Sequence, residues 1–163
     1  MKEVIKVGMA DIKVSVSPNV LTTLGLGSCL GIILYDPVKK VGAMAHTMLP
    51  DINMVKIQRN KAKFSNSAIT EMIQKMIKLG AHSKNLEAKI IGGAHMFTGA
   101  KIINTTAFNV GERNILSARE ALEQQKIKIV GEDVGGDYGR SVEFNLDTGK
   151  VKIRTIAWGL KEI

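Results

Sequence analysis

The sequence predicts an α+β fold, with mainly antiparallel or mixed β-sheets covered by two main helices. Three observations predict it. Short β-rich runs recur along the chain and outnumber the helical stretches. At least two pairs of these runs are joined by local turns, as in antiparallel hairpins. Two segments carry apolar residues at helical spacing. No linker, repeat or low-complexity stretch divides the 163 residues, so 1–163 is expected to form one domain.

In chain order, residues 3–8, 12–16 and 20–24 read as short strands. Residues 29–35 are almost wholly apolar and read as a buried strand, and 41–47 as its return. Between them Asp36-Pro37-Val38-Lys39-Lys40 is a turn, since Asp36 favours turn initiation and Pro37 fixes φ. Pro50 stops regular pairing. The basic stretch 51–64, with Lys56, Arg59, Lys61 and Lys63, reads as an exposed loop. A helix is predicted over 66–79. Ala68, Ile69, Met72, Ile73, Met76, Ile77 and Leu79 make its apolar stripe, Ser65 its N-cap and Gly80 its left-handed stop. Residues 86–91 form a strand leading into Gly92-Gly93. A second helix is predicted over 112–125, with Ile115, Leu116, Ala118, Ala121 and Leu122 on one side. Strands follow at 127–132, 141–146 and 150–157, the last two joined by a hairpin turn at Asp147-Thr148-Gly149-Lys150.

Composition narrows the function classes. Apolar residues make up 45% and charged residues 23%, the balance of a soluble globular protein. No apolar run approaches the roughly 18 residues of a membrane span. The start does not read as a secretory signal. The single cysteine, Cys29, cannot form an internal disulfide, and these features together lead us to expect the cytoplasm. Lys and Arg outnumber Asp and Glu by 23 to 15, a field of +8 that attracts acidic partners. Nucleic acid is the weaker candidate, because aromatics are few and no recognition motif is present. No histidine pair has the spacing of a structural zinc motif, even if His82 and His95 are added to Cys29 and His46. Gly92-Gly93-Ala94 lacks the spacing of a phosphate loop. The expectation is therefore no metal and no cofactor.

The informative segment is Thr22-Thr23-Leu24-Gly25-Leu26-Gly27-Ser28-Cys29. It places the thiol where a glycine-rich turn enters a buried strand, a position that can aim backbone N–H groups at one point. If 29–35 and 41–47 pair through a two-residue loop, opposed positions add to 75 and Cys29 faces His46. A one-residue change in loop length moves them to a diagonal. An imidazole beside a thiol can take its proton, letting the sulfur attack an amide or ester carbonyl, and can later protonate the leaving group. Thr23 is the candidate to orient the ring, by hydroxyl or backbone oxygen. The N–H of Cys29, with Ser28, is the candidate oxyanion donor. The alternative is structural: Cys29 fills core space and His46 caps a strand end.

At these residues the sequence resembles the CheD family of chemoreceptor glutamine deamidases. The resemblance runs through Leu24–Cys29, Gly42-Ala43-Met44-Ala45-His46, Met48-Leu49-Pro50, Ala88–Ala94, Asn109-Val110-Gly111-Glu112-Arg113-Asn114, Glu132-Asp133 with Gly135-Gly136, and Gly139–Phe144. It implies a catalytic set of Cys29, His46 and Thr23. It also implies conversion of particular glutamines of methyl-accepting chemotaxis receptors to glutamate through a thioester, with glutamyl methyl ester hydrolysis as a further activity. The implied partner besides the receptors is the phosphatase CheC. The implied fold is similar to that of deamidating-toxin cysteine hydrolases. A non-catalytic regulator that binds receptors and CheC is the rival reading.

Overall fold

The computed structural model describes residues 1–57, 60–96 and 109–163. Ten strands are described: β1 Val4–Lys6, β2 Ile12–Val16, β3 Val20–Leu26, β4 Leu30–Asp36, β5 Val41–Thr47, β6 Glu87–Gly92, β7 Lys128–Val134, β8 Arg140–Asn145, β9 Val151–Thr155 and β10 Gly159–Glu162. The main helices among the described residues are α1, Ser65–Lys78, and α2, Val110–Gln124. The strands form two five-stranded sheets, ordered β1-β3-β8-β9-β10 and β2-β5-β4-β6-β7. Most pairings are antiparallel. The two parallel ones are β1 with β3 and β6 with β7. The α+β expectation holds, with mixed sheets.

Three layers result. In β4 and β5 successive side chains alternate between two buried faces, as strand geometry requires. Ile32, Leu34, Ala43 and Ala45 pack towards the helices, against Ala68, Ile69, Met72, Ala118 and Leu122. Ile33, Tyr35 and Met44 face the other sheet and meet Leu21, Val142, Phe144 and Val151. Both strands are buried along their whole length, which is why they read as continuous apolar runs. The helices thus cover one sheet on one side, and the second sheet covers its other side.

Several elements differ from expectation. The β4–β5 loop is longer than two residues, because Asp36 pairs with Val41. Opposed positions therefore add to 77, not 75, and Gly31 rather than Cys29 lies opposite His46. The fully buried Asp36 carboxylate explains the extra length. Its Oδ1 accepts the N–H groups of Val38 and Lys39 at 2.9 and 3.0 Å, and its Oδ2 that of His82 at 2.9 Å, closing a broad turn. Helix α1 starts one residue early, and Ile77 and Leu79 of its expected stripe are exposed, as is Leu116 of the second helix, because each lies at the edge of, or beyond, the face turned to the sheet. Phe64 occupies the cap position, while Ser65 is buried inside the helix with its Oγ 3.0 Å from Thr47 Oγ1. Gly80 does end the helix, with φ of 100° and its N–H donating to Ile77 O. The basic 51–64 stretch is more ordered than a loop. Short 3-10 turns at Ile52–Met54 and Lys61–Lys63 are capped by Asp51 and Asn60, and Leu49 bridges to Phe64. Arg59 of that stretch lies outside the described residues. The 150–157 run stops at Thr155 and returns as β10, a strand whose four residues are all exposed and so carry no apolar pattern.

Candidate active site

His46 lies near the end of β5 on the face turned towards the other sheet, the face shared by Met44. Its backbone is held from the side of β2. The His46 N–H donates to Asp11 O at 3.1 Å, and His46 O accepts from the Ala10 N–H at 2.9 Å. Across the inter-sheet gap Thr23 on β3 reaches it, with Thr23 Oγ1 2.8 Å from His46 Nδ1. Thr23 is fully buried and His46 is 2% exposed.

The same hydroxyl lies 2.8 Å from Val7 O. A hydroxyl has one proton and two lone pairs. Val7 O can only accept, so the arrangement that satisfies both contacts has Thr23 donating to Val7 O and accepting from Nδ1–H of His46. That assignment leaves the lone pair on Nε2. Nε2 is buried and has no hydrogen-bond partner. The tautomer is the one a general base needs.

Cys29 sits one residue before β4, at intermediate exposure, packed against the inter-sheet core. The two-residue shift in register preserves facing, because side-chain direction repeats every second residue. The ladder ends at Leu30 and Thr47, and Cys29, one residue beyond, packs against the same inter-sheet core that His46 faces. No hydrogen bond joins Sγ to Nε2 in this conformation. Burial pushes the Cys29 thiol up, an effect its own backbone N–H partly offsets, and burial pushes His46 down. Both directions favour the uncharged thiol and imidazole over a thiolate–imidazolium pair.

The loop carrying the thiol is held by close backbone contacts. Gly27 O accepts the Ala94 N–H at 2.8 Å, and Cys29 O accepts the Gly93 N–H at 2.9 Å. Gly92 makes this approach feasible: its φ is 108°, and a Cβ there would stand 2.5 Å from Cys29 O. Ser28 O accepts from Asn114 Nδ2 of α2 at 2.9 Å. Beyond Gly92, the Gly135 N–H donates to Gly92 O at 2.9 Å. The buried Arg140 holds the Gly135 carbonyl at 2.9 Å while pairing with Asp133 at 3.3 Å and lying over the Tyr138 ring.

The structure thus joins Thr23 to His46 directly, sets Cys29 on their face, and puts Ser28 in the adjoining loop. His82 is exposed at the far end of β4, beside Asp36. Sequence reasoning missed Val7, which acts through a backbone oxygen and leaves no side-chain signal. It also missed Asn114, although a signal existed. Asn114, Ala118 and Leu122 recur every fourth residue on the apolar face of α2, where a polar side chain is out of place.

Several known proteins are similar to this chain in sequence. The family model described as CheD chemotactic sensory transduction matches residues 48–155. A probable chemoreceptor glutamine deamidase CheD of Caldanaerobacter subterraneus is 47% identical over 161 residues, covering 99% of this chain and 98% of the relative. A chemoreceptor glutamine deamidase CheD of Halalkalibacterium halodurans is 45% identical over 164 residues, covering both chains fully. Among solved structures, a Neisseria meningitidis protein of family-model DUF152 aligns with a TM-score of 0.45 at 11% identity, over 83% of this chain and 62% of that one. With a matching family model over most of its length and full-length relatives at this identity, the chain belongs to the CheD family.

Proposed function

We propose that this protein is a chemoreceptor glutamine deamidase in which Cys29 is the nucleophile, His46 the general base and Thr23 the residue that orients His46. The observation that carries the reading is the Thr23–His46 contact of 2.8 Å, which leaves Nε2 unpartnered on the face that also bears the chain's single thiol. The names of the full-length relatives supply the substrate class.

The chemistry proceeds from the neutral pair. As Sγ attacks the carboxamide carbon of a receptor glutamine, Nε2 takes the thiol proton. The oxyanion meets the N–H of Cys29, with Ser28 adjoining. The tetrahedral species collapses, the imidazolium gives its proton to the departing nitrogen, and ammonia leaves a thioester. Water then attacks the thioester while His46 takes a proton. The C–S bond breaks, the imidazolium returns its proton to Sγ, and glutamate and free thiol remain. A glutamyl methyl ester would enter the same route with methanol as leaving group. No cofactor or metal has a part in this sequence.

The reading includes CheC as a binding partner and the cytoplasmic parts of receptors as the site of action. Both come from the resemblance to the CheD family, and the matching family model supports a place in chemotactic sensory transduction. Among the described residues no helix is long and apolar enough to cross a membrane. The test is mass spectrometry of receptor cytoplasmic fragments. Carboxamide-to-carboxylate conversion is expected with the native enzyme, and a loss of about 10³-fold or more with Cys29→Ala or His46→Ala. Unmodified receptor that nevertheless binds the native protein tightly would replace the enzyme with a binding regulator.

A further inference from the structure

The β4–β5 ladder ends at Leu30 opposite Thr47. The next step would pair Cys29 with Met48, but there the backbones part: the Met48 N–H turns away to donate to Lys63 O at 2.8 Å. At this level a side chain takes over from the ladder. Asn114 Nδ2 donates to Ser28 O at 2.9 Å and to Met48 O at 3.1 Å, so one carboxamide bridges the two strand ends. Asn114 is fully buried. Its orientation is fixed chemically, since the flipped amide would set Oδ1 against two carbonyl oxygens.

Two consequences follow for the reacting groups. Ser28 immediately precedes the thiol and Met48 lies two residues past the imidazole, so the bridge fixes the span between nucleophile and base. The Ser28 carbonyl and the Cys29 N–H also belong to one planar peptide and point in opposite directions. Holding the carbonyl towards α2 therefore turns the Cys29 N–H away from it. With Gly27 O and Cys29 O held by Ala94 and Gly93, three successive carbonyls of the nucleophile loop are anchored.

We propose that Asn114 is a positioning residue for the deamidase reaction, its side-chain NH2 setting both the Cys29–His46 spacing and the direction of the Cys29 N–H towards the oxyanion. This rests on the reading of Cys29 and His46 given above. A misplacement of about 1 Å in such a site lowers turnover by about 10²-fold.

The test measures kcat and KM for a receptor fragment with Asn114→Ala and with Asn114→Asp, an isostere that cannot donate to a carbonyl when ionised. Asn114→Ser, which keeps one shorter donor, stands in if either fails to fold. The native fraction is checked by circular dichroism at the assay temperature. The expected result is a fall in kcat of about 10²-fold with KM within about twofold. A folded Asn114→Asp should be no milder than Ala in kcat, since a carboxylate oxygen faces the Ser28 and Met48 carbonyls where the amide NH2 stood. A folded variant with kcat within about threefold of native, a loss confined to KM, or a near-native Asn114→Asp would overturn the inference. Cys29→Ala separates the two levels. If it retains activity, the deamidase reading itself fails. If it is inactive while Asn114→Ala remains active, only the role of Asn114 fails.

Discussion

Replacing Thr23 by Val removes one oxygen atom at nearly constant shape, and the geometry says what that atom holds. It accepts from His46 Nδ1–H and donates to Val7 O, each at 2.8 Å, inside a fully buried contact. Val leaves a donor and an acceptor without partners, at about 1–3 kcal/mol for each such buried group. Stability should fall by roughly 2 kcal/mol or more. Catalysis should suffer separately. Without the hydroxyl nothing selects the Nδ1–H tautomer, and a neutral hydrogen bond contributes about 0.5–1.5 kcal/mol net. At about 1.4 kcal/mol per factor of ten, turnover should drop by roughly 10- to 30-fold once loosened ring orientation is included. This is far below the loss of about 10⁴-fold seen when a triad aspartate becomes asparagine, because an amide donor imposes the wrong tautomer whereas valine only removes the preference for the right one. Thr23→Ser keeps the oxygen and should stay within about threefold. Ammonia release from a receptor fragment, measured beside thermal melting, checks both effects. Thr23→Val with native kcat and a lowered melting temperature would refute the tautomer argument and leave Thr23 a purely structural residue.

Further outcomes follow from the same contacts. Burial depresses His46, so the acid limb of kcat/KM should have its midpoint below about 6.5, the ordinary imidazole value, and a midpoint above it would contradict the buried neutral base. The same shift bears on stability. The folded state resists protonation, so the contribution of neutral His46 is present above about pH 6.5 and is lost as pH falls below it, readable as a falling denaturant midpoint. Gly92→Ala should abolish activity and destabilise the fold, since its Cβ would meet Cys29 O at 2.5 Å with φ at 108°; a native-like rate would show that the Gly92–Cys29 approach is dispensable. Arg140→Ala should destabilise by about 3 kcal/mol, since Asp133 would keep only the exposed Lys161 at 3.8 Å and Gly135 O would lose its donor, measured by urea titration, and a change under about 1 kcal/mol would show that solvent and Lys161 already compensate that pair.

Legibility of the fold followed the physical source of each signal. Strands β2 and β5 were readable to the residue because burial imposes a pattern, and α1 because its stripe and Gly80 stop are local. Strand β10 was invisible because all four residues are exposed, so pairing with β9 is purely backbone. The parallel pairing of β6 with β7 was equally hidden, since such a pairing depends on a long crossover that no local pattern encodes. Ser65 misled because its hydroxyl serves Thr47 in the core instead of the helix end, a tertiary partner overriding a capping preference.

The site was legible for a different reason. The expected register was wrong, yet His46 and Cys29 still share a face. The Asp36 turn holds two more residues than a two-residue hairpin loop, and an even shift conserves side-chain direction where an odd one would reverse it. Burial on both sides of β4 and β5 forbids the odd shift. Moving one strand by a single residue would exchange the small Ala43 and Ala45 beneath the helices for Met44 and His46, and would carry the imidazole away from Thr23. The core therefore constrains facing more tightly than opposition. What facing leaves undetermined is the remaining distance between thiol and imidazole, at a level where the ladder has already ended. That gap is spanned by Asn114, a residue 66 positions along the chain from Met48, and so, on the proposed reading, the spacing of Cys29 and His46 depends on a helix that the strand pattern does not predict.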